Sequence, residues 1–313
     1  MPEWKVLIAD SLEESGANIL AKEAQVDNRP TISPEELLAD IGNYDALVVR
    51  GRSKVTKEVF AGAKNLKVVG RAGVGVDNID LAAAASQGVT VVNAPTATTT
   101  AVAELAFALM LSLARPVPAA DASMKRGQWD KKALKGIELE GKTLGVIGLG
   151  NIGAQVAQRA AAFGMQTIAY DPLIPAEEIA KRGAEPVDLN DLYGKADFIT
   201  MHLPLTPETK NLLDGEAFAR MKRGVYLVCA ARGGVIDETA LLSSLESGQV
   251  AGAALDVFSK EPPGLTALVA HPKVVATPHI GAQTAEAQVR AAEHIAEEVL
   301  NALRGDELRW KVV

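Results

Sequence analysis

The sequence predicts an α/β protein with two doubly wound parallel-sheet domains, and three observations predict it. Along the 313 residues, short apolar runs alternate with longer stretches of helical periodicity, as strand–helix–strand units require. The segment Gly145-Val-Ile-Gly-Leu-Gly-Asn-Ile-Gly153 puts a glycine-rich turn between one such run and one such helix, at mid-chain rather than at the start. The length suits about two domains, and 48% hydrophobic residues can supply a core to each.

Taken in order, Trp4 to Ala9 reads as a strand, followed by apolar strands at Ala46–Val49, Lys67–Gly70 and Val89–Val92 with helical segments between them. The first ~95 residues therefore form one α/β unit. After Pro95 a long apolar helix, about Thr99 to Leu113, leads to the glycine turn. There Lys142–Ile147 reads as a buried strand, Ala154–Phe163 as an Ala-rich helix and Gln166–Tyr170 as the next strand, ending at Asp171. Further strands follow at Phe198–Met201, Val225–Val228, Ala253–Leu255 and Val274–Ala276, each leading into a loop with polar residues. From Ala285 onward Val289, Ala292, Ile295, Ala296, Val299, Leu300 and Leu303 recur at helical spacing, giving an amphipathic closing helix expected to return to the first domain. The expected division is residues 1–97 with 284–313 as one domain and 98–283 as the other.

Strand, turn and helix together make the glycine segment a dinucleotide-binding turn. Gly148 permits the tight turn, Gly150 lets the backbone approach a pyrophosphate, and Gly153 allows close helix–strand packing. Open N–H groups at the helix start, around Asn151 and Ile152, would face the phosphates. Asp171 would accept hydrogen bonds from the adenine ribose, and Pro172-Leu-Ile174 brings no arginine to offset its repulsion of a 2′-phosphate, so NAD is expected over NADP.

Composition excludes several classes. Cys229 is the only cysteine, so an internal disulfide or a cysteine-based metal site is impossible, and no metal is expected. A net charge of −7 argues against a nucleic-acid surface or a polybasic membrane anchor. The run Ala101–Ala114 is too short to span a bilayer and contains Glu104, and the first residues lack a signal peptide's pattern. A cytoplasmic location is the expectation.

Three loops after strands carry a coherent set: Arg232 in Ala231-Arg-Gly-Gly-Val-Ile-Asp237, Glu261 in Asp256-Val-Phe-Ser-Lys-Glu-Pro262, and His279 in Thr277-Pro-His-Ile-Gly-Ala282. In these residues, in Gly70-Arg-Ala-Gly-Val-Gly-Val-Asp-Asn78, Gly252-Ala-Ala-Leu-Asp-Val-Phe258 and Thr284-Ala-Glu-Ala-Gln288, and in order and spacing over nearly the whole length, the chain resembles the D-isomer-specific 2-hydroxyacid dehydrogenases. The resemblance implies a Rossmann NAD-binding domain inserted into a flavodoxin-like substrate-binding domain. It implies oxidation of a 2-hydroxy acid by hydride transfer to NAD, with His279 as the proton-transfer residue, Glu261 hydrogen-bonded to its ring, and Arg232 binding the substrate carboxylate. Histidine suits the proton step because it titrates near neutral pH, and a neighbouring carboxylate favours the protonated ring. Arginine suits the carboxylate because its donors form a fixed fork.

By the same resemblance Asp256 would orient the nicotinamide amide, and His202, Pro204, Thr209, Cys229, Ala230, Ala231, Gly281 and Ala282 would border the cofactor. Backbone groups at Val74 and Gly75 would hold the substrate carboxylate from the opposite domain. The helix over Ala101–Leu113 would belong to a dimer interface, implying a homodimer through the NAD-binding domain. His271 and His294 read as structural or solvated.

Arg50, Arg52, Lys54 and Arg71 follow two apolar strands and would gather at their C-terminal edge. A solvated rim suits Arg52 best. Arg50 and Arg71 occupy positions that bind substrate in the branch of the family acting on a phosphorylated acid, and Lys131 and Lys132 would add charge across the dimer. The expected substrate is a 2-hydroxy acid bearing a phosphate, since a phosphate dianion needs several donors. Thr98 and Cys229 stand where that family usually has Asn, and Gln283 where Ser or Thr is commoner, which weakens the substrate assignment more than the reaction type. A glyoxylate or hydroxypyruvate reductase, and an NADH-sensing corepressor-like binding protein, remain the alternatives. Related enzymes carry a C-terminal extension that binds serine; this chain ends soon after its closing helix, so serine feedback is expected to be absent.

Overall fold

The apolar runs fold as parallel strands with helices on both faces, the environment in which a strand reads as continuously hydrophobic rather than alternating. The computed structural model describes residues 4–313. In chain order come β1 (Trp4–Ile8), α1 (Glu14–Leu20), β2 (Ala24–Asn28), α2 (Pro34–Asp40), β3 (Ala46–Val49), α3 (Lys57–Gly62), β4 (Val68–Arg71), α4 (Leu81–Ser86) and β5 (Thr90–Asn93). Then follow α5 (Thr99–Ala114), α6 (Val117–Lys125), β6 (Thr143–Ile147), α7 (Asn151–Ala162), β7 (Gln166–Tyr170), α8 (Ala176–Lys181), β8 (Glu185–Pro186), α9 (Leu189–Lys195) and β9 (Phe198–Met201). The chain closes with α10 (Gly215–Arg220), β10 (Val225–Cys229), α11 (Glu238–Glu246), β11 (Val250–Leu255), β12 (Val274–Ala276) and α12 (Ala285–Arg304). It separates into two compact units: one runs up to Thr98 and resumes over Ala282–Val313, the other is Thr99–Gly281.

In the first unit the sheet order is β2-β1-β3-β4-β5 with every pairing parallel, the flavodoxin-like arrangement. Its helix α2 starts at a reciprocal cap: Ser33 Oγ accepts the Glu36 N–H at 3.1 Å, and the Glu36 carboxylate accepts the Ser33 N–H at 2.8 Å. Helix α12 lays Ile295, Ala296, Val299 and Leu300 on the sheet, all buried, and fully burying a side chain such as Ile295 or Val299 stabilises by about 1.5–3 kcal/mol. Gly70 permits that approach, because a Cβ there would lie 2.5 Å from Val299 Cγ2. Strand β2 is absent from the sequence-predicted set. Its residues, Ala-Gln-Val-Asp-Asn, form an edge strand only partly buried, so the apolar signal of the central strands is missing.

In the second unit the order is β12-β11-β10-β9-β6-β7-β8, again all parallel. Counted from β6 this is the Rossmann order 3-2-1-4-5-6 with one further strand, and its direction of growth reverses between β6 and β9, where such sheets bind ligands. Successive residues of β6 face opposite layers: Leu144 and Val146 join the layer containing α5 and α7, Ile147 the layer containing α9 to α11. Helix α7 begins at Asn151, three residues before the expected Ala154. Gly150 is its N-cap, so Gly153 lies in the first turn rather than ahead of the helix; glycine's poor helix propensity disguised the start. Strand β11 starts at Val250, earlier than expected, where a register irregularity beside Val225 breaks the pattern. Among the described residues, no single helix is long and apolar enough to cross a membrane.

Candidate functional site

The dinucleotide turn sits at the C-terminal end of β6. Gly148 has φ +88° and a Cβ on it would fall 2.7 Å from the His202 carbonyl oxygen, so only glycine fits. Gly153 packs against the Gly148 carbonyl. A Cβ at Gly150 would meet nothing within 4 Å, which leaves open space beside the backbone where a pyrophosphate must approach. The residues therefore fit an NAD pyrophosphate at the start of α7. Asp171 Oδ2 accepts the Leu149 N–H at 2.8 Å and Oδ1 the Leu173 N–H at 2.9 Å, across Pro172. Each oxygen keeps a further lone pair for a ribose hydroxyl.

Other sequence-predicted cofactor residues lie on the neighbouring strand ends. His202, just after β9, bonds through Nε2 to Thr200 Oγ1 at 2.9 Å, while its Nδ1 is sealed from solvent with no partner among the described residues. Burial pushes its pKa down to about 4, keeping the ring neutral. Thr209 Oγ1 donates to the Pro204 carbonyl at 2.7 Å, fixing that loop. Cys229, Ala230 and Ala231 are buried at the end of β10; burial pushes the Cys229 thiol up to about 11, so it is an inert packing residue.

The three sequence-predicted catalytic residues are tied together through backbone. His279 Nδ1 meets Glu261 Oε2 at 2.7 Å, and Glu261 Oε1 accepts the Phe258 N–H at 3.1 Å. Gly233, next to Arg232, packs its Cα directly on the Phe258 carbonyl, leaving no room for a Cβ. His279 stands at φ +54°, a left-handed conformation uncommon for a non-glycine residue. Asp256, 1% exposed, holds it there. The Asp256 carboxylate accepts Thr277 Oγ1 at 2.6 Å, the Ile280 N–H at 2.8 Å and the Gly281 N–H at 2.9 Å, and its carbonyl accepts the His279 N–H at 2.9 Å. With Nδ1 on Glu261 and the side chain half exposed, Nε2 is the ring nitrogen able to exchange a proton with a substrate. Arg232 is partly buried and donates from Nη1 to the Ala231 carbonyl at 2.7 Å.

In the first unit the cations are not equivalent. Arg52 is exposed, with 48% of its side chain accessible as a rim position requires, but it also donates to the carbonyls of Ile32 at 2.9 Å and Ala9 at 2.5 Å and pairs with Asp10 at 3.3 Å, so it acts as a strut. The loop it belongs to is gripped from both sides. Buried Asp10 accepts the Arg50 N–H at 2.6 Å, the Ser53 N–H at 3.1 Å and Ser53 Oγ at 2.6 Å, while Asn78 Nδ2 donates to the Arg50 and Ser53 carbonyls at 3.0 and 2.7 Å. Arg50 and exposed Lys54 are thereby held on a fixed loop. Arg71 ends β4 with its guanidinium lying over Gly73. Asn93 Nδ2 donates to the Val74 carbonyl at 2.7 Å, bracing the Val74–Gly75 backbone. Asp10, Asn78 and Asn93 were missed by sequence reasoning; Asp10, a lone acid right after an apolar strand, is the one that carried a usable signal. In the second unit, Lys131 lies over the exposed Trp129 ring at 5.4 Å, with Lys132 exposed beside it.

Residues 107–281 match the family described as D-isomer specific 2-hydroxyacid dehydrogenase, NAD binding domain. The chain is 52% identical to D-3-phosphoglycerate dehydrogenase of Methanocaldococcus jannaschii over 96% of its own length and 58% of that protein's. It is 47% identical to the protein of the same name from Synechocystis, over 96% and 54%. It thus spans a little over half the length of these curated relatives. Among solved structures, the TT0316 protein of Thermus thermophilus superposes with TM-score 0.89 at 36% identity, covering 99% of this chain and all of that one. A glyoxylate reductase from Paecilomyes thermophila superposes with TM-score 0.92 at 31% identity, covering 100% and 99%.

Proposed function

Because the chain belongs to the D-isomer specific 2-hydroxyacid dehydrogenases, with an NAD-binding domain over residues 107–281, we propose that it oxidises D-3-phosphoglycerate to 3-phosphohydroxypyruvate, the entry step of serine synthesis. NAD, when bound, supplies the acceptor for the hydride that leaves the alcohol carbon. The observation that carries the reading is the His279–Glu261 pair at 2.7 Å on a loop braced by buried Asp256. His279 Nε2 takes the hydroxyl proton, and Glu261 at Nδ1 stabilises the imidazolium that results. In the reverse direction the same nitrogen returns the proton to the carbonyl oxygen. Arg232 holds the substrate carboxylate and polarises the oxygen under reaction.

The substrate assignment rests on the cations of the first unit and on the relatives' name. Arg50, Lys54 and Arg71 bind the phosphate, and the N–H groups at Val74 and Gly75 bind the carboxylate. The second reading, a glyoxylate or hydroxypyruvate reductase, draws support from the 31% identical glyoxylate reductase and from Thr98, Cys229 and Gln283. NADH oxidation measured with phosphohydroxypyruvate, hydroxypyruvate and glyoxylate separates the two. The phosphorylated acid should lead in kcat/KM by at least about tenfold, since each charge-assisted bond to its phosphate contributes about 1.5–3 kcal/mol. A wild type that prefers glyoxylate would move the assignment to the reductase.

We also assign the chain to a cytoplasmic homodimer formed through the NAD-binding unit. In support, that unit exposes Val117, Met124 and Trp129 on and just after α6, apolar surface of the kind a partner covers. Light scattering giving a monomer mass at micromolar concentration would refute the dimer.

A further inference from the structure

The glycines of the dinucleotide turn explain why its backbone can come close to a pyrophosphate. They do not explain what fixes the peptide planes once it is there. The Leu149–Gly150 peptide matters most, because its N–H belongs to Gly150, the N-cap of α7, whose missing side chain leaves open space beside the backbone. In a trans peptide the carbonyl and the N–H point in opposite directions. Whatever holds the Leu149 carbonyl therefore aims the Gly150 N–H.

That carbonyl is held by Arg182, the residue that caps the C-terminus of α8. Arg182 Nη1 donates to Leu149 O at 2.8 Å, and its Nε donates to Glu178 Oε1 at 2.9 Å, one helical turn back. On the other side of the same residue the Leu149 N–H is taken by Asp171, and the Leu149 side chain is fully buried. Leu149 is thus pinned by its side chain, its N–H and its carbonyl. Neither Arg182 nor Glu178 belongs to the glycine fingerprint, and both sit more than twenty residues beyond it. The Arg182–Glu178 pair is partly exposed, with side chains 30% and 42% accessible, and as an ion pair contributes little to stability. Its consequence lies in the carbonyl bond, which also polarises the peptide and strengthens its N–H as a donor.

We infer that Arg182, set by Glu178, is a positioning residue for NAD: it orients the Leu149–Gly150 peptide so that the Gly150 N–H points at the cofactor's pyrophosphate. The inference rests on NAD binding at this turn. Its signature is that only ligands carrying a pyrophosphate feel Arg182, whereas a ligand ending at the ribose does not.

The test is calorimetric titration of wild type, Arg182→Leu, Arg182→Lys and Glu178→Gln with ADP and with adenosine, alongside NADH binding followed by fluorescence. Arg182→Leu should raise the Kd for ADP and NADH about tenfold while changing that for adenosine less than about twofold, and Arg182→Lys should recover most of the loss. Glu178→Gln frees the guanidinium and should weaken ADP binding about threefold. Equal weakening of adenosine and ADP in Arg182→Leu would reduce the role to general folding of the loop and overturn the proposal. So would unchanged ADP affinity. A Glu178→Gln variant that binds ADP more tightly would show Arg182 acting as a bare charge, and would overturn it as well. A wild type that binds neither ADP nor NADH would overturn the cofactor reading itself.

Discussion

Replacing Asp256 by Asn exchanges one oxygen for an amide nitrogen, and the surrounding hydrogen bonds say what that does. The carboxylate receives three donors: Thr277 Oγ1 and the Ile280 N–H on Oδ1, and the Gly281 N–H on Oδ2. Asn has one acceptor oxygen. Its better orientation keeps that oxygen in the Oδ1 position and turns the NH2 group toward the Gly281 N–H, where two donors then face each other at about the original 2.9 Å. Leaving that buried N–H unsatisfied costs about 1–3 kcal/mol, and the two surviving bonds lose their charge assistance, about 1 kcal/mol each. The lower cost of burying a neutral amide offsets part of this, for a net loss of roughly 2–4 kcal/mol. In a unit of this size each kcal/mol moves the midpoint by about 2–4 °C, so Tm should fall by roughly 5–15 °C in a cofactor-free thermal melt. His279 has its N–H on the Asp256 carbonyl and stands at φ +54° only because the flanking residues are pinned. Turnover of the proposed substrate, phosphohydroxypyruvate, should therefore fall with stability, by at least about tenfold in kcat at saturating NADH, well below Tm. A variant within about 2 °C of wild type, or a destabilised variant with wild-type kcat at low temperature, would refute the reasoning.

Three further outcomes follow from the same geometry. His279→Ala should lower kcat by about 10²–10⁴-fold with the NADH Kd nearly unchanged; near-normal kcat would remove His279 from proton transfer. Asp171 takes two backbone N–H bonds at the end of β7, and as the acid proposed to face the adenine ribose it repels a 2′-phosphate, so kcat/KM with NAD should exceed that with NADP by at least about tenfold; comparable values would contradict this. His202 has its pKa depressed by burial to about 4 from the ordinary 6.5, so between those pH values the unfolded chain binds the proton and the folded one does not. Stability is then fully present above about pH 6.5 and falls by on the order of 3 kcal/mol as pH drops toward 4. Urea unfolding across that range should show the slope in wild type and a clearly shallower one in His202→Gln, the remainder including His294, whose pKa burial also lowers; an unchanged slope in the variant would assign it elsewhere.

What could be read from the sequence and what could not divide along a physical line. Strands β3, β6 and β9 were legible because a parallel strand buried on both faces needs an unbroken apolar run. The partly exposed edge strand β2 lacks that requirement, and so lacks its signal. The side chains proposed for catalysis, Arg232, Glu261 and His279, sit in loops at strand ends, where they stand out against their neighbours. The residues that brace the Arg50–Ser53 loop of the first unit do not stand out. Asp10 reaches a loop forty positions away and Asn78 reaches back twenty-five and more to the same loop, partnerships set by the order of strands in the sheet and by no local pattern. Arg50 and Arg52 make the point most directly. They are two residues apart and chemically identical, yet the fold turns one guanidinium back onto the Ala9 and Ile32 carbonyls and gives the other, among the described residues, a long bond to the Ser11 carbonyl at 3.4 Å. A carbonyl acceptor offers no sequence signature, since every residue carries one. An arginine whose donors are consumed by backbone can therefore be told from one able to receive an anion only after the chain has folded around it.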